Sequence, residues 1–223
     1  MNAVSMTTLS DKRRHIEESI CWAENEESKL PESILSMDGM SSRKNRHFLN
    51  NLCSQKDMSY LEVGTWKGST FFSSCYDNEF KEVSCIDNWS EFNDEDCGNP
   101  KTEFLVGLNE HSDHLPLDLN YYECDCFEFE RSKIKNPIDV FFYDGNHEVI
   151  NQYRSLVYFN MILNDPFILI VDDWDWPMPK EGTNMAIKDL GYKVVQKWEL
   201  PSTKLNDKDN WWNGLFIGLM CKE

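Results

Sequence analysis

The stretch that decides the fold is Leu61-Glu62-Val63-Gly64-Thr65-Trp66-Lys67-Gly68-Ser69-Thr70. A short apolar run ends on a glycine that permits a tight turn, and a second glycine followed by Ser69 opens a helix. This is the passage from a strand into a helix of an α/β protein. The glycines are spaced GxxxG, whereas the GxGxxG spacing is the one that brings backbone against a pyrophosphate, so a dinucleotide fits this turn poorly. Glu62, immediately before the turn, can accept hydrogen bonds from loop amides or from an ammonium group.

Outward from the turn, short apolar runs bounded by Gly, Asp and Asn alternate with helix-length segments. Strands are expected near 59–63, 82–86, 120–124, 138–143, 167–172, 192–199 and 212–220, and helices near 68–78, 101–112, 146–162 and 181–189. That alternation argues a mostly parallel sheet with helices packed on it. Residues 202–210 are too short for a crossover helix and suit a hairpin-like return, so the last strand should run antiparallel. Upstream, helical patterns through Ile16, Ile20 and Cys21, and again from Ser42 to Cys53, predict a helical cap over 1–57 before a main domain over 58–223. Glu24, Glu26 and Glu27 read as a solvated face.

The chain has 223 residues with 39 acidic and 22 basic side chains, a net charge of −17. No basic stripe is left to neutralise phosphates, which argues against nucleic acid and anionic membranes as partners. No apolar run approaches the roughly 20 residues of a membrane span. The first 20 residues lack an apolar signal core, so a cytoplasmic location is expected. The eight cysteines show no CxxC and no His partners at zinc spacing, and read as reduced thiols.

Asp87 closes Val83-Ser84-Cys85-Ile86-Asp87, about 20 residues after the glycine turn, where nucleotide-binding α/β folds hold ribose hydroxyls. Gly64, Gly68, Ser69 and Asp87 together point to an adenosine-bearing ligand, and Glu62 to its amino-acid end. Asp125, in Tyr122-Glu123-Cys124-Asp125-Cys126 after the third strand, is placed with Cys126 for the adenine edge, although strand-end Asp residues are also common turn formers.

With the later runs Phe141-Phe142-Tyr143-Asp144-Gly145-Asn146-His147 and Val171-Asp172-Asp173-Trp174, these motifs resemble the class I S-adenosylmethionine-dependent methyltransferases. The nearest branch is that of small-molecule O-methyltransferases, including the macrolide-sugar and macrocin enzymes and the cephalosporin-hydroxylase-like proteins. The resemblance covers roughly residues 38–220. It implies a Rossmann-like seven-stranded sheet with a reversed last strand, S-adenosylmethionine as cosubstrate, and methyl transfer to a small-molecule hydroxyl. One departure is Asn164-Asp165-Pro166 before strand five, where the superfamily commonly has a Gly pair.

Asp144, Asp172 and Asp173 fall at the tips of neighbouring strands. Three carboxylates there repel one another unless protonated or bridged, and a hard divalent cation resolves the repulsion with oxygen ligands. In the resembling metal-dependent families such positions bind Mg2+, with an Asn usual in the place of Asp173. His147, three residues after Asp144, is expected on the first turn of the next helix and on the same face. The resemblance gives its position to the general base, with Asp144 beside it. Trp174, Trp176, Trp211 and Trp212 could wall a pocket or fill the core; if Trp211 and Trp212 lie in a strand, only one can face a site. The acceptor's identity and the oligomeric state, a homo-oligomer included, are left open.

Overall fold

Alternation along the strands sends side chains to two apolar layers, one on each face of a sheet. In the computed structural model, which describes residues 8–93 and 97–222, the strands are β1 (Met58–Val63), β2 (Phe80–Asp87), β3 (Asn120–Glu123), β4 (Ile138–Tyr143), β5 (Leu163–Val171), β6 (Lys193–Leu200) and β7 (Leu215–Cys221). They form one seven-stranded sheet in the order β3-β2-β1-β4-β5-β7-β6. Pairing is parallel from β3 across to β5, and β7 runs antiparallel to both β5 and β6. This is the Rossmann-like methyltransferase arrangement, with the reversed strand where the hairpin-like return predicted it.

Tyr60, Val140, Phe142, Ile168 and Ile217 face one layer, while Leu61, Phe141, Leu169 and Phe216 face the other. The first layer is roofed by α1 (Leu9–Glu24), α2 (Glu32–Leu35), α3 (Arg43–Leu52), α4 (Ser69–Cys75) and α5 (Pro100–Glu110); α6 (Val149–Phe159) and α7 (Pro177–Asp189) cover the second. Thr8 and Ser42 cap α1 and α3 through their hydroxyls, satisfying amides that the first turn leaves unpaired. Ile16, Ile34, Phe48 and Leu52 join the same apolar cluster as Tyr60 and Ile217, so the N-terminal helices share the core of the sheet. Residues 1–7, on which part of the signal-sequence reading falls, lie outside the described residues. Cys21, Cys53, Cys75, Cys85, Cys124, Cys126 and Cys221 are free thiols, and no helix of the described residues is long and apolar enough to cross a membrane.

Three local expectations need correction. The last strand begins at Leu215, not 212, because residues 213 and 214 run against the chain after β5: Asp175 N donates to Asn213 O (2.9 Å) and Trp174 N to Gly214 O (3.0 Å). Trp211 and Trp212 therefore sit in a turn and not in a strand. Glu24 is more than a solvated residue, since it pairs with Lys44 and accepts from Trp211 Nε1 at 2.7 Å. Helix α6 starts at Val149, so His147 precedes it; Asn146 Oδ1 accepts from Glu148 N (2.9 Å) and Tyr143 Oη donates to Asn146 O (3.2 Å), which hold 144–147 as a loop.

Candidate active site

The strand order reverses between β1 and β4, and a cleft of about 730 Å³ opens above their carboxyl ends. Ligands in open α/β sheets bind at such a switch point. Gly64 makes the close approach there possible: its φ is +90°, and a Cβ on it would lie 2.0 Å from Asp144 O. Any other residue would drive the tips of β1 and β4 apart.

Asp87 and the glycine turn form one unit. Thr65 N and Trp66 N each donate to Asp87 Oδ2 at 2.7 Å, and Trp89 N donates to Oδ1 at 2.6 Å. The carboxylate lines the cleft and shapes the turn beside it. Ser69 also lines the cleft, whereas Gly68 does not; with φ +88° it precedes α4 and packs against Phe72 and Phe104. Glu62 does not reach the cleft either, contrary to its expected role at the ligand's amino-acid end. It points into the layer under α4, fully buried, where Tyr60 Oη and Thr70 Oγ1 donate to it at 2.5 and 2.9 Å. Burial pushes its pKa up to about 8, against the pull of these hydrogen bonds.

Asp125 and Cys126 line the other end. Asp125 Oδ1 accepts from Phe127 N at 2.7 Å, the turn-forming use of a strand-end Asp, and burial raises the Cys126 thiol to about 12. Arg154 of α6 lines this end too, its guanidinium 4.0 Å over the Phe127 ring.

Asp144, Asp172, Asp173 and His147 converge as the strand tips predict. His147 Nε2 lies 3.0 Å from Asp173 Oδ2 and 3.9 Å from Asp144 Oδ1. Gln152 Nε2 approaches Nδ1 at 3.5 Å and Trp176 stands edge-on to the ring at 5.6 Å. Burial, and then the neighbouring carboxylates, push the Asp144 and Asp172 carboxyls well above the usual range.

The donor chemistry fits a hard cation: Asp172 Oδ1 and Asp173 Oδ1 are buried with no hydrogen-bond partner among the described residues. The expected three-carboxylate metal site is nevertheless not preformed, since among the described residues no group of three His, Cys, Asp or Glu side chains is placed to hold a metal ion. Asp173 takes a left-handed backbone, φ 51°, and its Oδ2 faces the imidazole.

The tryptophans divide. Trp174 packs on Phe216 at 4.3 Å and Trp211 on Phe48 at 6.1 Å, while Trp176 and Trp212 line the cleft. Sequence reasoning missed Met40, Arg154, Asn206 and Asn213 as lining residues. Asn206 stands in the polar stretch 202–210, which composition marks only as a loop, and Asn213 falls in the span expected as the start of the last strand.

Fold and cleft together define a class I methyltransferase-like architecture. No protein-family model matches the chain. An uncharacterized protein of Acanthamoeba polyphaga mimivirus is 24% identical over 164 residues, 70% of this chain and 72% of that protein. Among solved structures, the O-methyltransferase from Bacillus cereus in complex with SAH (S-adenosylhomocysteine) superposes with a TM-score of 0.56 at 11% identity, covering 97% of this chain and 93% of that one. TomG, the O-methyltransferase of Streptomyces achromogenes involved in tomaymycin synthesis and solved with SAM, gives 0.53 at 16% identity over 93% and 89%. SMU.776, described as a putative methyltransferase and solved with SAH, gives 0.59 at 13% identity over 82% of this chain, which spans half the length of that protein. At these identities the likeness is one of fold.

Proposed function

We propose that this chain binds S-adenosylmethionine in the cleft and transfers its methyl group to a hydroxyl of a small molecule. The observation that carries the reading is one cavity joining the Asp87-braced glycine turn to a His147–Asp173 contact of 3.0 Å. The first suits the cofactor and the second suits a proton acceptor beside it. Fold-level likeness to SAH- and SAM-bound O-methyltransferases supports the same reading.

Catalysis rests on holding sulfur, methyl carbon and acceptor oxygen in line. The oxygen attacks the methyl carbon, the carbon–sulfur bond breaks with its electron pair left on sulfur, and the hydroxyl proton passes to His147. Asp173, 3.0 Å from Nε2, stabilises the imidazolium. The acidic wall also favours the sulfonium cation of the reactant over the neutral thioether product. Mg2+ is part of this reading on the strength of the two unpartnered oxygens of Asp172 and Asp173: these two and Asp144 would have to draw together to hold it, and it would lower the charge cost at the acceptor oxygen. The net charge of −17 supports a small molecule over nucleic acid as acceptor, and the free thiols of Cys21, Cys53, Cys75, Cys85, Cys124, Cys126 and Cys221 support a reducing, cytosolic setting.

The test is calorimetry with S-adenosylmethionine and S-adenosylhomocysteine, followed by transfer of a labelled methyl group to a panel of hydroxyl acceptors with and without EDTA. Saturable binding and label on an acceptor oxygen are expected, with loss of turnover but not of cofactor binding in EDTA. No binding of either compound at about 1 mM, weaker than most enzyme–ligand pairs, overturns the reading. Full turnover in EDTA removes the metal from it.

A further inference from the structure

His147 stands in the loop before α6, so no helix of its own fixes the orientation of its ring. An imidazole turns about its Cβ–Cγ bond between two orientations of almost equal shape, and only its hydrogen bonds tell ring nitrogens from ring carbons. Here both nitrogens are engaged from elsewhere in the chain. Nε2 meets Asp173 Oδ2 at 3.0 Å, and Nδ1 meets the side-chain amide of Gln152 at 3.5 Å. Half a turn of the ring would point C–H groups at both partners and leave a buried amide end unpaired, which folded proteins avoid. Trp176 stands edge-on to the same ring at 5.6 Å.

Gln152 is itself held. It is 1% exposed on α6, and the other end of its amide lies 3.4 Å from Oγ1 of Thr183, also 1% exposed, on α7. A hydroxyl both donates and accepts, so Thr183 serves whichever end of the amide is turned to it, and the grip on the ring does not depend on that choice. The helices meet this closely because residue 182 is glycine: a Cβ there would lie 2.3 Å from Val149 O and 2.6 Å from Gln152 Cβ. Tyr153 Oη, donating to Asp189 Oδ2 at 3.3 Å, ties the same two helices. Asp173 and Trp176 belong to the lead into α7, where Trp176 N donates to Asp173 O at 3.0 Å. The crossing of α6 and α7 therefore reaches the ring at both of its nitrogens.

We propose that Gln152 and Thr183 are positioning residues for the reaction: they fix the His147 ring so that Nε2, and not a ring carbon, faces Asp173 and the cleft. The proposal rests on the methyltransferase reading for the ring's purpose and deepens it. It is tested on the full chain by NMR of the His147 ring in wild type, Gln152→Leu, Gln152→Glu and Thr183→Val, with the ring signals assigned by their loss in His147→Ala. Wild type should give one set of ring signals and one pattern of contacts to Trp176. Gln152→Leu removes the hydrogen bond at nearly constant volume and should give two sets, or one broadened by exchange; Thr183→Val should move the same way. Gln152→Glu keeps an oxygen toward Nδ1 and should restore the single pattern. Neither Gln152 nor Thr183 lines the cleft, so calorimetric affinity for S-adenosylhomocysteine should stay within about twofold of wild type in all three variants. With an acceptor from the labelled-methyl panel, kcat of Gln152→Leu should fall about tenfold or more, as for a misplaced reacting group, and Gln152→Glu should recover most of it. A single wild-type ring pattern in folded Gln152→Leu overturns the proposal. So does a Gln152→Glu ring as mixed as that of Gln152→Leu, which makes the contact one of volume and not of hydrogen bonding. If Gln152→Leu does not fold, Thr183→Val carries the test, with Thr183→Ser as its conservative counterpart. If wild type binds neither S-adenosylhomocysteine nor S-adenosylmethionine while its ring pattern is single, the methyltransferase reading fails and the positioning of the ring stands.

Discussion

Asp173 holds a left-handed backbone, φ 51°, at the wall of the cleft, a conformation that costs a non-glycine residue of order 1–3 kcal/mol. The strain places its carboxylate against His147 Nε2. Replacing His147 with Ala should lower kcat by about 10² to 10⁴, the usual size of a general-base contribution, while the calorimetric affinity for S-adenosylhomocysteine stays as in wild type. Loss of binding together with turnover would make His147 structural. Asp87 differs in kind, because three backbone amides converge on it. Asp87→Ala should cost about 1–3 kcal/mol of stability for each amide left buried without a partner, read by urea melts, and should weaken cofactor binding as well. A variant as stable as wild type would show that the turn holds its shape without the carboxylate.

At the scale of elements, the β1–α4 turn is the least tolerant joint. Gly64→Ala puts a Cβ against Asp144 O in a backbone that L-residues avoid, so the tips of β1 and β4 must separate. The expected loss is about 3 kcal/mol or more, in the range of backbone-incompatible substitutions, with a lower urea midpoint as the readout. A loss below about 1 kcal/mol would show the joint to be pliable. The strands were legible to within a few residues because their signal is local: an apolar run or a period of two, ended by Gly or Asp. Boundaries failed where a distant segment or a side chain binding its own loop intervened. Residues 213 and 214 are held by the chain after β5, and 146 and 147 stay out of α6 because Tyr143 and Asn146 bind the loop.

Across the molecule, charge and pH act on stability through groups that folding buries. Glu62 titrates near 8 when folded against an ordinary value of 4.5. A folded pKa raised in this way leaves stability intact below about pH 4.5 and erodes it as pH rises through about 8. Buried His15 and His47, whose pKa values are lowered by desolvation, contribute in the opposite sense. The clean readout is therefore the difference between Glu62→Gln and wild type. The variant should gain thermal stability relative to wild type on going from pH 5 to pH 8. A constant difference across that range would show that Glu62 stays ionised in the fold.

The sequence by itself determined the sheet, its reversed last strand and the strand-tip residues, because strand periodicity, glycine turns and terminal Asp residues are encoded within a few positions of one another. It also placed Asp144, Asp172, Asp173 and His147 at one edge, since neighbouring parallel strands must end together. Only the tertiary structure decided where the side chains go once there. Glu62 turns under α4 instead of into the cleft, Trp211 reaches back to Glu24 across 187 positions, and Ser41 meets Ser69 across 28. Such contacts depend on which surfaces are buried together, and burial is a property of the packed chain that no local pattern carries.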